Sequence, residues 1–348
     1  MAESQAMTAP AMAGSASAEA STGAASEALL GSAPPAASFA GATTAATPER
    51  LREQLFRAGY IADEDLASLV WMGLVLERPL LLEGEAGVGK TAIASACARA
   101  LNRPLLRLQC YEGLDLAQSV YEWNYSRQLL EIRLAEAGAG DRAALRDNLF
   151  SEAFLLERPL LQAIRCEQPC VLLIDEIDRA DEAFEAFLLE MLSEYQVTVP
   201  ELGTLQARSR PLVVLTSNGT RDLSDALRRR CLFHYLDFPT LARETQIVRS
   251  LVPEAAGRLV EEAVAFVQRL RKQDLEKIPG VAETLDWVRV LFKLGHSELP
   301  IDPQLLMPSL AALLKTRNDR WQVTPERVGK LMDGPRMGQD AGVAAALK

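Results

Sequence analysis

Residues 84–91 read Gly84, Glu85, Ala86, Gly87, Val88, Gly89, Lys90 and Thr91. This octapeptide has the pattern G-x-x-x-x-G-K-[ST] of a phosphate-binding loop. Its glycines permit a tight turn in which backbone N–H groups surround an anion, because no side chain stands in the way. Lys90 supplies a cation for the β- and γ-phosphates of a nucleotide, and the Thr91 hydroxyl suits Mg²⁺. All eight residues are therefore predicted to bind the nucleotide.

The residues on either side of the loop support this interpretation. Leu80–Leu82 form an apolar run that is typical of a buried strand, and residues 91–101 are rich in helix formers. Strand, loop and helix are the setting that a phosphate-binding loop requires. The predicted helix also directs the positive end of its dipole at the bound anion.

A second apolar run, Val171–Ile174, ends in two carboxylates. A buried parallel strand has this appearance, and its ligand-facing residues lie at the carboxyl end. Asp175 is predicted to hold Mg²⁺ together with Thr91. Glu176 is predicted to polarise the attacking water as a general base. Beside the phosphate loop, these carboxylates indicate an ATP and Mg²⁺ site rather than a strand that merely ends in solvated acids.

Two more polar groups complete the expected site. Asn218 follows the apolar run 211–215 and can orient the water or contact the γ-phosphate, although Asn after a strand is also a common turn residue. Arg228, Arg229 and Arg230 follow a short predicted helix. Adjacent arginines point in different directions, so one of them can reach a nucleotide on a neighbouring molecule. The alternative is a solvated basic helix end.

In these motifs the chain resembles the AAA+ ATPases and, among them, the MoxR family. The matching residues are 84–91, 172–180, 196–200, 216–218 and 226–233. The resemblance implies an ATPase that forms a homo-oligomeric ring, usually a hexamer. It also implies that Asn218 is sensor 1 and that Arg230 is an arginine finger acting on the neighbouring subunit, with Arg229 as the second candidate.

The resemblance implies a function and partners as well. Such proteins act as chaperones for a protein client, often a metalloenzyme, with a partner that bears a von Willebrand factor A domain. Residues 285–289 and 311–315 are most similar to the branch associated with carbon monoxide dehydrogenase and molybdenum hydroxylase maturation. The chain departs from the family at sensor 2, where residues 282–285 contain no arginine. Sensor 2 is therefore either Arg289, one helical turn later, or absent.

The order of the segments predicts an α/β fold. Apolar strands alternate with helices, which favours the AAA+ P-loop parallel sheet with helices on both faces. The predicted strands cover residues 80–82, 105–109, 171–175, 212–216 and 232–236. After them, apolar residues recur at three- and four-residue spacing, which predicts a small all-α lid domain.

Four regions follow from these patterns. Residues 1–48 are rich in alanine and serine and are predicted to be disordered. Residues 49–240 form the predicted nucleotide-binding α/β domain, residues 241–333 the α-helical lid, and residues 334–348 a flexible tail.

Two extra segments are expected within the nucleotide-binding domain, an insertion near 116–146 and a hairpin near 196–206. In the insertion, Tyr121, Trp123 and Tyr125 alternate along the chain, so on a strand they share one face. Exposed together they would grip a client protein. The alternative is that they pack against their own domain.

Composition excludes several classes of protein. The 348 residues include 37 basic and 47 acidic ones, a net charge of −10, without a basic stripe, which argues against nucleic-acid binding. The five cysteines read as core residues in a reducing compartment. No apolar run is long enough for a membrane span. The first basic residue is Arg50, which argues against a leader peptide and favours the cytoplasm.

The leading interpretation is an ATP-driven chaperone that remodels a client. One alternative is a nucleic-acid-associated AAA+ motor, which predicts a basic pore or an added DNA-binding module. The other is a slow ATP-dependent scaffold that binds ATP and hardly hydrolyses it. Glu176 and Arg230 argue against the scaffold, whereas the departure at sensor 2 favours it.

Overall fold

The computed structural model describes residues 47–137, 149, 151–200 and 202–333. The segment predicted to be disordered, 1–48, lies outside these ranges except for its last two residues. Thr47 accepts a hydrogen bond from the Arg50 N–H, and Pro48 begins the first helix, where a missing N–H costs nothing. The helix therefore starts before the boundary expected from composition. The predicted tail, 334–348, also lies outside the described residues.

The described chain alternates strands and helices up to residue 236 and is helical afterwards. The strands are β1 (Leu80–Gly84), β2 (Leu105–Gln109), β3 (Tyr121–Trp123), β4 (Leu155–Glu157), β5 (Val171–Asp175), β6 (Gln196–Val199), β7 (Gly203–Gln206), β8 (Leu212–Ser217) and β9 (Leu232–Leu236). The helices of the first part are α1 (Pro48–Arg57), α2 (Glu64–Leu76), α3 (Lys90–Ala100), α4 (Leu116–Ser119), α5 (Tyr125–Ala137), α6 (Pro159–Arg165), α7 (Glu182–Glu194) and α8 (Asp225–Arg230). The later helices are α9 (Leu241–Leu251), α10 (Gly257–Leu270), α11 (Val281–Lys293), α12 (Pro303–Leu306), α13 (Arg317–Gln322) and α14 (Pro325–Met332).

Five strands form one parallel sheet in the order β2-β5-β8-β1-β9. These are the five strands that the apolar runs predicted, and the parallel α/β fold is confirmed. Strand β1 lies between β8 and β9, and β8 also pairs with β5. The carboxyl ends of β1, β5 and β8 are thus neighbours at one edge of the sheet. Ligands bind at such edges of open parallel sheets.

Both faces of the sheet are covered. In β5, Leu172 and Ile174 pack with α6 and α7, whereas Val171 and Leu173 pack on the opposite face with α1, α2 and α3. All four side chains are fully buried. A strand buried on both faces reads as an unbroken apolar run, which is why this strand was visible in the sequence.

Helices α9 to α14 surround a core of their own. Trp287 is fully buried, lies 5.0 Å from the Phe266 ring, and donates its indole N–H to Ser309 Oγ at 2.9 Å. A buried ion pair also joins these helices, because Glu244 of α9 accepts hydrogen bonds from Arg271 at 2.6 and 2.7 Å. The predicted boundary at residue 240 falls in the loop between β9 and α9, and the division into domains stays a prediction.

The insertion differs from its prediction. Asn124 caps a helix by accepting the Arg127 N–H at 3.0 Å, so Tyr125 begins α5 and does not continue β3. The expectation that three aromatic residues share a strand face is therefore wrong. Trp123 is only 6% exposed and packs into the domain core, whereas Tyr125 is 66% exposed. The part of the insertion from 138 to 146 lies outside the described residues.

Two small antiparallel sheets lie outside the main one. Strand β3 pairs with β4, and β6 pairs with β7 so that Gln196 lies opposite Gln206, where the hairpin was predicted. Within the described ranges, no helix is both long and apolar enough to cross a lipid bilayer.

Candidate functional site

The phosphate loop joins β1 to α3 and bends sharply at two glycines. Gly87 has φ 82° and Gly89 has φ 105°, a region that side chains strongly disfavour. The second glycine precedes α3 directly, so the helix begins at Lys90 with its N-terminal N–H groups facing the loop. Residues 86–91 line a cavity of about 680 Å³ at this edge of the sheet.

Lys90 is folded back over its own loop. Its ammonium group donates to the carbonyls of Gly84 at 2.6 Å and Glu85 at 2.8 Å, and to Asn218 Oδ1 at 2.8 Å. The predicted cation and the predicted sensor are thus in direct contact. Burial lowers the pKa of Lys90, and nearby carboxylates, Asp178 foremost, oppose that shift only in part. The ammonium group therefore gains from an anion bound in the cavity.

Asp175 lies at the end of β5 and is 3% exposed. Its Oδ1 accepts hydrogen bonds from the hydroxyls of Thr91 at 2.9 Å and Thr216 at 2.5 Å. Its Oδ2 accepts from Arg107 Nη2 at 2.5 Å. The two predicted Mg²⁺ ligands, Thr91 and Asp175, are therefore adjacent. Both offer the hard oxygen atoms that Mg²⁺ prefers, so these residues fit the ion.

Glu176 follows with an unusual backbone. It has φ 56° and ψ 50°, the left-handed conformation that non-glycine residues adopt rarely and at a cost. Its N–H donates to Thr216 Oγ1 at 3.0 Å, which holds the turn in place. The carboxylate is partly exposed and lies 2.9 Å from Arg179 Nε. The turn thus separates two consecutive carboxylates, one buried and one partly exposed, and Glu176 also lines the cavity.

Asp178 fixes the loop that carries Asn218. Its Oδ2 accepts the Asn218 N–H at 3.2 Å, the Thr220 N–H at 3.0 Å and the Thr220 hydroxyl at 2.6 Å. Burial raises the pKa of Asp178, but these hydrogen bonds outweigh it and leave the pKa lowered. No pattern in the sequence distinguishes Asp178, although it lies three residues after Asp175.

The three arginines have different surroundings. Arg228 lies 3.1 Å from Glu83 of its own chain. Arg229 and Arg230 are exposed, and the guanidinium group of Arg230 donates to Ser193 Oγ at 2.6 Å. Neither of the exposed arginines lines the cavity of its own chain.

Helix α7 holds both ends of the short helix α8 that bears these arginines. Near the start of α7, the buried Glu185 accepts the N–H of Ser224, which caps α8. Its other oxygen lies 2.5 Å from Arg221 Nη2. Near the end of α7, Ser193 binds Arg230. The position of the arginines is therefore set by α7.

The rest of the cavity comes from residues that the sequence did not reveal. Tyr60, Ile61, His234 and Phe238 line it together with Arg243, whose Nη2 donates to the Ile61 carbonyl at 2.9 Å. These residues come from two distant segments of the chain, 60–61 and 234–243, which meet only in the folded structure. Burial raises the pKa of Tyr60, so its hydroxyl stays protonated.

The lid helix α11 closes the cavity at the phosphate loop itself. The Val281 N–H donates to the Gly87 carbonyl at 3.0 Å. A Cβ atom on Gly280 would lie 2.6 Å from Gly87 Cα, so only glycine permits this approach. Val281, Ala282 and Leu285 line the cavity. Arg289, the candidate for sensor 2, is exposed, lies 3.5 Å from Asp286, and is not part of the cavity lining.

Part of the chain is similar to known proteins. Residues 79–231 match the family model described as AAA domain (dynein-related subfamily). The gas vesicle ATPase GvpN1 of Halobacterium salinarum is 27% identical over 209 residues, which cover 56% of this chain and 57% of that protein. Fidgetin-like protein 1 of Homo sapiens is 30% identical over 128 residues, 35% of this chain and 19% of that protein. The chain thus spans little more than half the length of its gas vesicle relatives.

Among solved structures, the RuvB Holliday junction branch migration motor of Thermotoga maritima covers 76% of this chain and 68% of its own. The identity is 17% and the TM-score 0.39. Residues 79–231, which include the phosphate loop and four of the five strands of the parallel sheet, thus match the AAA domain family.

Proposed function

We propose that this chain is an AAA+ ATPase that binds ATP with Mg²⁺, hydrolyses it, and works as a homo-oligomeric, hexameric ring. One observation carries the proposal. Lys90, Thr91, Asp175, Glu176 and Asn218 come from three separate segments and converge at one edge of the sheet. Two relatives with matching segments are named gas vesicle ATPases.

Each residue has a chemical task in this proposal. The ammonium group of Lys90 exchanges its bonds to loop carbonyls for bonds to phosphate oxygens, and the loop N–H groups surround the same anion. Thr91 and Asp175 would hold Mg²⁺, which neutralises charge that develops on the transferred phosphoryl group. Glu176 accepts a proton from the attacking water, and the side chain of Asn218 orients that water.

The exposed arginines support the proposed ring. Arg229 and Arg230 lie outside the cavity of their own chain, so they are available to a neighbouring molecule. A guanidinium group that reaches a γ-phosphate raises the rate of hydrolysis by ~10³–10⁵. We therefore propose that Arg230, with Arg229 as the second candidate, completes the site of the adjacent subunit.

The test begins with Glu176→Gln, which keeps the shape of the side chain but cannot accept a proton. The variant should bind ATP normally, hydrolyse it at a small fraction of the wild-type rate, and persist as a ring in ATP. Lys90→Ala should instead lose ATP binding. Wild-type hydrolysis in Glu176→Gln would place the general base elsewhere. Slow hydrolysis by the wild-type chain itself would support the scaffold alternative, which the position of Arg289 outside the cavity favours.

The arginine role is tested by mixing variants. Arg230→Ala should abolish hydrolysis and leave ATP affinity nearly unchanged, and mixing it with Lys90→Ala should restore activity at mixed interfaces. Arg208→Ala removes another exposed arginine and serves as the matched control, with no expected effect. If no mixing ratio restores activity although rings assemble, Arg230 does not act between subunits.

We further propose a chaperone that remodels or activates a client, as in the MoxR family. Residues 285–289 and 311–315 support the branch linked to carbon monoxide dehydrogenase and molybdenum hydroxylase maturation, and with it a metalloenzyme client and a von Willebrand factor A partner. The cytoplasmic location stays a prediction from composition. Cross-linking to the ATP-locked Glu176→Gln ring tests the client. A metalloenzyme or a von Willebrand factor A protein is expected, whereas recovery of nucleic acid or a gas vesicle protein would contradict this part.

A further inference from the structure

A second cavity, of about 830 Å³, lies in the helical region away from the nucleotide site. We call it the basic groove. Its lining is formed by Met307, Pro308, Leu310, Ala311, Leu314, Lys315, Thr316, Arg317, Arg320 and Trp321. None of these residues lines the nucleotide cavity.

The basic and acidic side chains of this segment occupy different positions. Lys315, Arg317 and Arg320 are exposed and line it, while no carboxylate is found among its described lining residues. The acid of the same segment, Asp319, is fully buried and accepts the backbone N–H groups of Glu276 and Lys277. A stretch of mixed charge in the sequence thus becomes a purely cationic rim in the structure.

The groove also offers apolar surface. Leu310 and Leu314 are almost fully buried and form its floor, and Trp321 stands at the rim with 66% of its surface exposed. The guanidinium group of Arg317 lies 4.2 Å from the centre of the Trp321 ring, which holds both side chains in a defined arrangement. Tryptophan and arginine are among the residues that contribute most of the binding energy at protein interfaces. An exposed tryptophan beside arginines therefore indicates a surface for binding a protein.

We propose that the basic groove binds an acidic segment of a partner protein that carries at least one large apolar side chain. Charge complementarity selects the acidic partner, because the groove is cationic in a chain whose net charge is −10. The same net charge repels nucleic acid over longer distances, and the apolar floor has no counterpart in a sugar–phosphate backbone. An apolar anchor of the partner fits against Leu310, Leu314 and Trp321.

The probe is a short fluorescein-labelled peptide of alternating glutamate and leucine, titrated with the full chain by fluorescence anisotropy. Two control peptides replace its glutamates by lysine or its leucines by serine. The glutamate–leucine peptide should bind best, and its affinity should fall as salt is added. Arg317→Glu/Arg320→Glu and Trp321→Ala should each weaken binding by more than about tenfold.

Lys272→Glu/Lys293→Glu is the matched control, because it makes the same change of charge on exposed lysines outside the groove. This variant should bind the peptide nearly as well as the wild type. All of these substitutions are at exposed positions, and melting curves together with ATP titrations should be unchanged. Because peptide binding is measured without nucleotide, its outcome is separate from that of the ATPase proposal.

Three results would overturn the inference. Equal binding of the peptide to Arg317→Glu/Arg320→Glu would show that the groove is not its site. Tighter binding of a labelled single-stranded oligonucleotide than of the peptide, lost in the same variant, would identify a nucleic-acid site. The third result is that the wild type does not bind the peptide and that the oligomeric state of that variant, measured by sedimentation, differs from that of the wild type. The groove would then be an interface between copies of the chain.

Discussion

Replacing Gly280 with alanine is expected to lift the lid from the phosphate loop. The new Cβ atom would lie 2.6 Å from Gly87 Cα and 2.8 Å from the Gly87 carbonyl oxygen. Carbon atoms in contact lie about 3.5–4.0 Å apart, so the two backbones must separate by roughly 1 Å. The hydrogen bond from Val281 to Gly87, now 3.0 Å long, would then exceed the length at which it contributes.

The cost follows from these distances. Forcing an extra methyl group into packed backbone costs about 1–3 kcal/mol, and the lost hydrogen bond costs about 1 kcal/mol more. The penalty falls on the arrangement in which the lid closes the cavity. Since each 1.4 kcal/mol is a factor of ten, a total of about 2–4 kcal/mol should lower ATP affinity by roughly 30- to 700-fold. The melting temperature without nucleotide should change little, because Trp287 and the lid core are untouched.

ATP titration with a fluorescent analogue and a melting curve measure the two effects separately. Gly257→Ala is the matched control, because a Cβ atom there would meet its nearest neighbour at an ordinary 3.7 Å. The control should bind ATP like the wild type. If Gly280→Ala also binds ATP within about twofold of the wild type, close contact between lid and loop is not needed for binding, and the reasoning fails.

Three more outcomes are expected. Trp123→Ala should destabilise the domain by about 3–5 kcal/mol in urea unfolding, because the ring is buried; a fully stable variant would reopen the client-contact hypothesis. ATP affinity should already decline with rising pH below about 10.4, the pKa of an exposed lysine. The reason is that Lys90 has a lowered pKa and only its protonated form attracts phosphate. The lowered pKa of Lys90 also means that the unfolded chain binds more protons than the folded chain just below pH about 10.4. The free energy of unfolding should therefore rise with pH where ATP affinity falls. An ATP affinity that stays constant up to pH about 10.4 would contradict the lowered pKa and both predictions. Glu244→Ala should lower the free energy of unfolding by about 3–5 kcal/mol, because it leaves the buried Arg271 unpaired. The double change Glu244→Leu/Arg271→Met should lower it less. An equal loss of stability in the two variants would argue against an effect of charge.

The sheet and the phosphate site could be predicted because their physical requirements are local. A strand buried on both faces must be apolar throughout, as Val171–Ile174 is, and a loop that surrounds phosphate must contain glycine and lysine. The predicted site residues other than the arginines lie at or just after the ends of these strands. Parallel pairing brings their carboxyl ends to one edge, so the order in the chain is enough to predict the meeting of Lys90, Asp175 and Asn218.

The remainder of the cavity depends on contacts that no local pattern encodes. Arg107 lies on β2, at the edge of the sheet, and reaches Asp175 only through the register of that strand. Tyr60 and Arg243 line the same cavity because Arg243 of α9 binds Asp63 and the Ile61 carbonyl in the loop before α2. A local signal was available for Tyr125, since Asn124 is a strong helix cap, but the alternation of aromatic residues concealed it.

Helix α7 contacts both ends of α8, the helix that bears the arginines. Glu185 and Ser193 are eight positions apart on one helix, a separation of about 12 Å along its axis. Helix α7 begins six residues after Glu176 and contacts Arg230 near its end, so it spans the distance between the two carboxylates and the arginines of the same chain. Adding or removing a turn between Glu185 and Ser193 would change their separation along the helix axis by about 5.4 Å. In the ring proposed above, the length of this single helix would set how far the arginines lie from the nucleotide site of their own subunit.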